Sequence, residues 1–189
     1  MKQHILPALR LTLVAVFFFC VAYTFLIWAV AQGAPGNGKG QTITENGKVV
    51  GFALEGQNFT QDKYFWGRPS KAGNGYDATS GSGSNKGPSN ADYLADVQAH
   101  IDTFMAHNPA VKKEDIPSDL VTYSASGLDP DISPEAAYVQ VSRIAKVRGI
   151  NEDELEKLVA ENTQRPLLGF FGIEKINVLQ LNLALDNLK

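Results

Sequence analysis

Between Thr122 and Pro130 the sequence reads TYSASGLDP, which sets Ser124 and Ser126 close to Asp129. A serine becomes a nucleophile only beside a general base, and no histidine follows His107. Serine and aspartate in a segment rich in Gly and Pro more often bond to the local backbone, and that role is expected here. His100 and His107 lie seven apart, with Asp96 one turn before His100. Two turns of helix separate the rings too widely to share a metal, so both are expected at the surface. Cys20 is the sole cysteine, which leaves neither an internal disulfide nor a cysteine zinc site. No G-x-S-x-G, H-E-x-x-H or G-x-x-x-x-G-K-[ST] pattern occurs. No catalytic or metal-ligating set is therefore expected.

Binding is the better-supported chemistry. Tyr64-Phe65-Trp66-Gly67-Arg68-Pro69-Ser70 places three aromatics in succession, and a single element cannot turn all three toward one core. Core packing is the more frequent fate of such aromatics, but at least one should be exposed or lie on a neighbouring loop or partner, where Arg68 could stack on a ring. Residues 71–90 then hold five Gly, four Ser and three Asn. A loop this long is usually functional or disordered. Its N–H groups would suit an anion, but the strand and helix context of a phosphate loop is missing. An extended surface loop that docks on something is expected. Tyr64, Phe65, Trp66 and Arg68, with Asn85 and Asn90 of the loop, form the candidate partner interface.

The elements that must position these residues begin with a membrane span. The chain has 189 residues, enough for one globular domain plus extras. Seventeen Lys+Arg against 20 Asp+Glu give a net charge of −3, too weak a field to favour nucleic acid. Leu11–Val30 reads LTLVAVFFFCVAYTFLIWAV, twenty residues without a charge, and at about 1.5 Å each these cover about 30 Å of hydrocarbon. Lys2, His4 and Arg10 precede it with no acid, so residues 1–10 are expected in the cytoplasm and the remainder outside. Ala29-Val30-Ala31 has the form of a signal cleavage site, but a signal core is only about 7–15 residues long, which favours a retained anchor. Phe17, Phe18 and Phe19 are too bulky for lipidation at Cys20. Ala15, Ala22 and Ala29 recur every seven residues, a spacing that lines one helix face for close contact with another helix. Without Lys2 and Arg10 the charge of residues 11–189 is −5, mildly acidic.

Residues 31–40 (AQGAPGNGKG) are expected as a flexible linker, followed by an exported domain over 41–189. Its fold class is expected to be α/β (α+β), helix-rich with a small sheet or hairpin. Asn46-Gly47 between β-rich runs predicts a type I′ hairpin, with Val50, Phe52 and Leu54 on one apolar face. Asn90 or Asp92 caps a helix reaching Asn108, with Leu94, Val97, Ile101, Phe104 and Met105 as its stripe. Ser133-Pro134 starts a second helix that ends at Gly149, with Ala137, Val141, Ile144 and Ala145 inward. Arg143, Lys146 and Arg148 would favour the C-terminal end of its dipole. Asn151 with Glu154 forms a capping box, and Ile150 with Leu155 a staple, for a third helix to about Asn162. Val178, Leu181, Leu185 and Leu188 fit a helix capped by Asn177, and Leu179, Leu181, Leu183 and Leu185 also alternate as a strand. The helix is preferred.

Several of these stretches together resemble the C subunit of the bacterial Kdp potassium-transporting ATPase. They are Gly56-Gln57-x-Phe59 with Tyr64-Phe65-x-x-Arg68-Pro69-Ser70, Ser84-Asn85-x-Gly87-Pro88-Ser89-Asn90, and Asp119-Leu-Val-Thr122 through Ser126-Gly-Leu-Asp-Pro-x-Ile132-Ser-Pro134. Gln140-Val-x-Arg143-Ile-Ala-Lys146-x-Arg148-Gly149 and Asn177-Val-Leu-x-Leu-Asn-Leu-Ala-Leu185-Asp186 complete the set. Departures such as Phe52, Glu55, Tyr123, Ala125 and Ser142 touch only local packing. The resemblance implies a non-catalytic subunit of a high-affinity K⁺ pump, single-pass in the bacterial inner membrane. Its implied partners are a channel-like K⁺-binding subunit, a P-type ATPase subunit and a small hydrophobic subunit. ATP, K⁺ and Mg²⁺ would be handled by those partners, and this chain lacks the phosphorylation motif DKTGT. The family is also described as a catalytic chaperone that raises the affinity for ATP. With only residues 1–10 expected inside, such an effect would be indirect. If nucleotide contact were direct, the 71–90 loop and residues 122–128 would be its place. The alternative reading is a free-standing membrane-anchored, ligand-binding module.

Overall fold

The computed structural model describes residues 2–188, and the chain divides into two compact units, Met1–Thr42 and Ile43–Lys189. In the first unit α1 (Lys2–Val16) and α2 (Tyr23–Ala31) are joined by a π-helical segment, Phe17–Ala22. Together they give an unbroken apolar helix over Gln3–Ala31, 29 residues, long enough to cross a bilayer. It starts well before Leu11, because Ile5, Leu6, Ala8 and Leu9 continue the apolar run upstream. The Tyr23 N–H bonds to Phe18 O, five residues back. This wider turn retards the helical phase, so it rotates Ala15 about a quarter turn away from Ala22, whereas Ala22 and Ala29 stay two α-turns apart on one face. The expected three-alanine line is therefore split by the π segment. Residues 33–40 form tight turns: Gly36, Asn37 and Gly38 all take positive φ, and Asn37 N–H closes on Ala34 O at 2.9 Å.

From Ile43 on, the second unit opens with the hairpin of β1 (Thr42–Glu45), whose first residue closes the first unit, and β2 (Lys48–Phe52). Asn46 and Gly47 have φ of 50° and 77°, as the type I′ turn requires. The expected face of Val50, Phe52 and Leu54 does not form, since Phe52 and Leu54 are exposed. Gly51 lies inward instead: a Cβ there would stand 2.7 Å from the Leu179 side chain and closer still to the Gln57 amide.

Five helices and a second two-stranded sheet build the core. α3 (Ala91–His107) is capped by Asn90, whose Oδ1 accepts from Tyr93 N–H at 3.1 Å. Phe104 is buried and Val97 and Ile101 half-buried, but Leu94 is exposed. Only the C-terminal half of α3 reaches the core, and the N-terminal half pairs through Asp92 and Asp96 with Lys86 and Lys71 of the long loop. The expected second helix is two: α4 (Pro134–Tyr138) and α5 (Val141–Arg148). Gln140 separates them because its amide turns inward and donates to Ala136 O at 2.9 Å. α6 (Glu152–Asn162) packs on α4, α5 and α7 (Val178–Asp186). Asn151 caps α6 through Asp153 N–H, and Asn177 caps α7 through Gln180 N–H. Residues 178–186 are thus helical, while the two before them form a strand. β3 (Asp131–Ile132) pairs antiparallel with β4 (Ile176–Asn177), matching Asp131 to Asn177 and Ile132 to Ile176. Ile132, Ile144, Leu155, Val159, Ile176, Leu181 and Leu185 fill the centre, each contributing about 1.5–3 kcal/mol by burial. The architecture is α+β.

Candidate functional site

The aromatic segment around Phe65 has no regular secondary structure, and it pairs with no strand among the described residues. Two side-chain amides take the strand's place. Phe65 N–H donates to Asn182 Oδ1 at 2.8 Å, and Asn182 Nδ2 donates back to Phe65 O at 3.0 Å. One residue on, Trp66 N–H donates to Gln140 Oε1 at 2.8 Å, and Gln140 Nε2 donates to Trp66 O at 3.2 Å. The backbone can therefore enter the core without orphaned polar groups, and Phe65 is fully buried.

Two arginines of α5 close the knot. Arg143 is only 7% exposed. It donates to Asn108 Oδ1 at 2.9 Å, to Tyr64 O at 3.1 Å, to Gln140 Oε1 at 2.7 Å and also to Asp62 O. Burial lowers its pKa to about 10, which leaves it cationic at neutral pH, and it stacks over Trp66 at 4.6 Å. Arg148 donates to Lys63 O at 2.7 Å, pairs with Asp186 at 2.6 Å and lies over the Tyr64 ring at 5.1 Å. Tyr64 donates its hydroxyl to the same Asp186 at 3.0 Å, and its pKa is raised, chiefly by burial.

The ring-stacking expected of Arg68 is thus performed by Arg143 and Arg148, which lie on the neighbouring helix. Arg68 turns the other way, to Asp129 at 3.1 Å and Tyr123 O at 3.4 Å. Its Nε is the one buried side-chain polar atom without a partner among the described residues. Arg68, Trp66, Tyr76, His100, His107 and Tyr123 line a cleft of about 430 Å³. His107 is exposed, bonding Asp62 at 2.7 Å and meeting Trp66 edge-on at 4.9 Å. His100, expected at the surface, is half-buried because its Nδ1 bonds Val121 O at 3.0 Å.

The long loop docks on the chain itself. Ser70 donates to Gly127 O at 2.6 Å and accepts from Tyr76 N–H at 2.8 Å. Gly127 has φ of 73°, and a Cβ there would stand 2.6 Å from Ser82 O. Residues 71–90 and 122–128, the two places considered for nucleotide, thus fill each other's facing surfaces. Ser124 and Ser126 hydroxyls accept from Gly127 and Leu128 N–H at 3.0 and 3.1 Å, the local bonding expected of them. Asn90 is a helix cap, and Asn85 is exposed at a left-handed turn (φ 51°). Of the candidate interface residues, the structure brings Tyr64, Phe65, Trp66 and Arg68 together and leaves Asn85 and Asn90 on the outer loop. Gln140, Asn182 and Arg143, which organise the site, entered the sequence reading only as members of the resembling stretches and, for Arg143, as a dipole residue; their bonds to residues 62–66 carried no local signal.

An apolar helix of membrane length, joined to a domain whose reactive side chains are engaged in internal bonds, is the build of an anchored accessory subunit. The chain belongs to the family described as KdpC: K⁺-transporting ATPase, c chain, which it matches over residues 5–187. It is 55% identical over 188 residues to the potassium-transporting ATPase KdpC subunit of Bacteroides fragilis, covering 99% of this chain and 98% of that one. Identity is 53% over 188 residues with the KdpC subunit of Phocaeicola vulgatus, covering 99% and 100%. With that of Caldanaerobacter subterraneus it is 44% over 186 residues, covering 98% and 95%.

Proposed function

We propose that this chain is the non-catalytic accessory subunit of an ATP-driven potassium uptake pump, required for assembly of the complex and for modulating its ATPase subunit. The family match over residues 5–187 carries the reading. The internal use of Ser124, Ser126 and Asp129 supports a role without chemistry. In this reading residues 1–10 are cytoplasmic, 11–30 span the bacterial inner membrane, 31–40 link, and 41–189 form a periplasmic domain. Lys2, His4 and Arg10 before the span favour that orientation. The partners are a channel-like K⁺-binding subunit, a P-type ATPase subunit and a small hydrophobic subunit. Ala22 and Ala29 offer the anchor's close-packing face, with Ala15 on an adjoining one. The exported domain acts at the outer entrance of the K⁺ path, and its effect on ATP affinity passes through the membrane by conformational coupling.

Three measurements test this. Protease treatment of spheroplasts should digest the domain and spare the anchor. A C-terminal tag should recover the large membrane subunits with this chain. Full growth at micromolar K⁺ on residues 1–40 alone would remove the role of the exported domain. The second reading, a free-standing ligand-binding module, draws on the 430 Å³ cleft beside Trp66 and Arg68, a volume within the usual range for small ligands. Recovery of an isolated monomer would favour it.

A further inference from the structure

Residues 164–175 fold as a second hairpin that carries its apolar side chains outward. Gln164 and Lys175 exchange backbone bonds at 2.8 and 3.2 Å, and Leu167 and Phe171 do so at 3.0 and 2.9 Å. At the tip Leu167, Leu168, Phe170, Phe171 and Ile173 are 70%, 75%, 68%, 57% and 78% exposed. No titratable side chain interrupts Pro166–Ile173. Leu168 and Gly169 both take positive φ, 56° and 82°, and only the glycine does so without steric cost. The turn thus puts a leucine, 75% exposed, at a position where most residues other than glycine are strained. A protruding apolar cluster of this kind marks a docking element.

What it docks on follows from the groove at its base. Ile173, Glu174 and Lys175 line a cavity of about 650 Å³ together with Glu114, Asp115, Asp119, Asp129, Asp131 and Glu135. Asp129 and Asp131 are neutralised by Arg68 and Lys175, at 3.1 and 2.5 Å. Asp119 accepts from Ser133 N–H at 2.7 Å. Glu114, Asp115, Glu135 and Glu174 make no ion pair among the described residues, which leaves the groove strongly negative. An anionic bilayer would repel carboxylates held so close to the inserted tip. A protein surface that pairs an apolar pocket with Lys or Arg would satisfy both halves.

We propose that the 166–173 tip and the acidic groove form one docking surface, and that its occupant is a basic-rimmed apolar pocket on the outer face of a membrane subunit of the pump. The inference rests on the accessory-subunit reading above and names the element that makes the contact. The test uses the full chain, tagged at its C-terminus and expressed with the pump subunits. A benzoylphenylalanine photoprobe at Phe170 should cross-link to a membrane subunit. Leu168→Ser with Phe170→Ser and Phe171→Ser should lower recovery of the subunits about tenfold. Glu135→Lys with Glu174→Lys should lower it about threefold, as should washing the wild-type complex at high salt. Because the serine variant retains the buried core, an unchanged melting curve separates lost docking from lost folding. If it does unfold, the photoprobe decides. Cross-linking into lipid alone, with subunit recovery unchanged in the serine variant, overturns this inference and leaves the accessory-subunit reading standing. Failure of the wild-type chain to recover any membrane subunit overturns both.

Discussion

Tyr64-Phe65-Trp66 and Phe170-Phe171 are both aromatic runs followed by a glycine, and they meet opposite fates. Phe65 is fully buried, whereas Phe170 is 68% exposed. Hydrophobicity does not separate them; the backbone does. In the first run Asn182 and Gln140 satisfy the peptide groups of Phe65 and Trp66 from distant helices, so the segment enters the core. In the second, the peptide groups pair within the hairpin, and nothing draws the rings inward. Burial of an aromatic run requires partners for its backbone as well as space for its rings.

The largest break in this comparison is truncation of the rings. Phe65→Ala should cost about 3–5 kcal/mol of stability, while Phe170→Ala should change it by no more than about 0.5 kcal/mol. Urea unfolding of the full chain in detergent reads both, and equal effects would overturn the contrast. Arg143→Met should come next, at about 3 kcal/mol, because it strands Asn108 Oδ1 and two carbonyls and leaves Gln140 Oε1 with the Trp66 N–H as its one donor. Asn182→Ala should cost about 1–3 kcal/mol by orphaning the Phe65 N–H and C=O.

Much of the framework was legible in adjacent residues. The charge-free run through Val30, the Asn46-Gly47 turn and the caps at Asn90, Ser133, Asn151 and Asn177 are local signals with local consequences. The knot around Phe65 was not, since its partners sit 74 to 117 residues away along the chain. Nor was the outward hairpin, because Leu167-Leu168 and Phe170-Phe171 carry no periodicity that distinguishes a core from a protrusion. Arg143 and Arg148 fit a helix-dipole role by position and turned out to bind the segment of residues 62–66.

A smaller effect depends on pH and arises just beyond the first run, where the Tyr76 hydroxyl donates to Arg68 O at 2.8 Å. Burial, with Asp129 nearby, pushes the Tyr76 phenol from 10.0 up to about 12. A raised folded-state pKa means the folded chain holds that proton more tightly. Its stabilisation is complete below pH 10 and lost as pH rises through about 12. The melting temperature should fall across that window, and Tyr76→Phe should flatten the fall. Photo-cross-linking by the hairpin tip has no titratable side chain of its own between Pro166 and Ile173, so no matching alkaline step should arise from it.

The π segment at Phe17–Ala22 makes the anchor a screw with a misaligned joint. A straight neighbouring helix that follows the Ala22–Ala29 side will find a different set of side chains once it passes Phe18. The upper and lower halves of the anchor can therefore be addressed by two different neighbours. Closing the joint into regular α-helix with no residue removed would bring the halves back into phase and turn Ala15 beneath Ala22. Deleting one residue would instead leave the two alanines six apart, about 120° out of line.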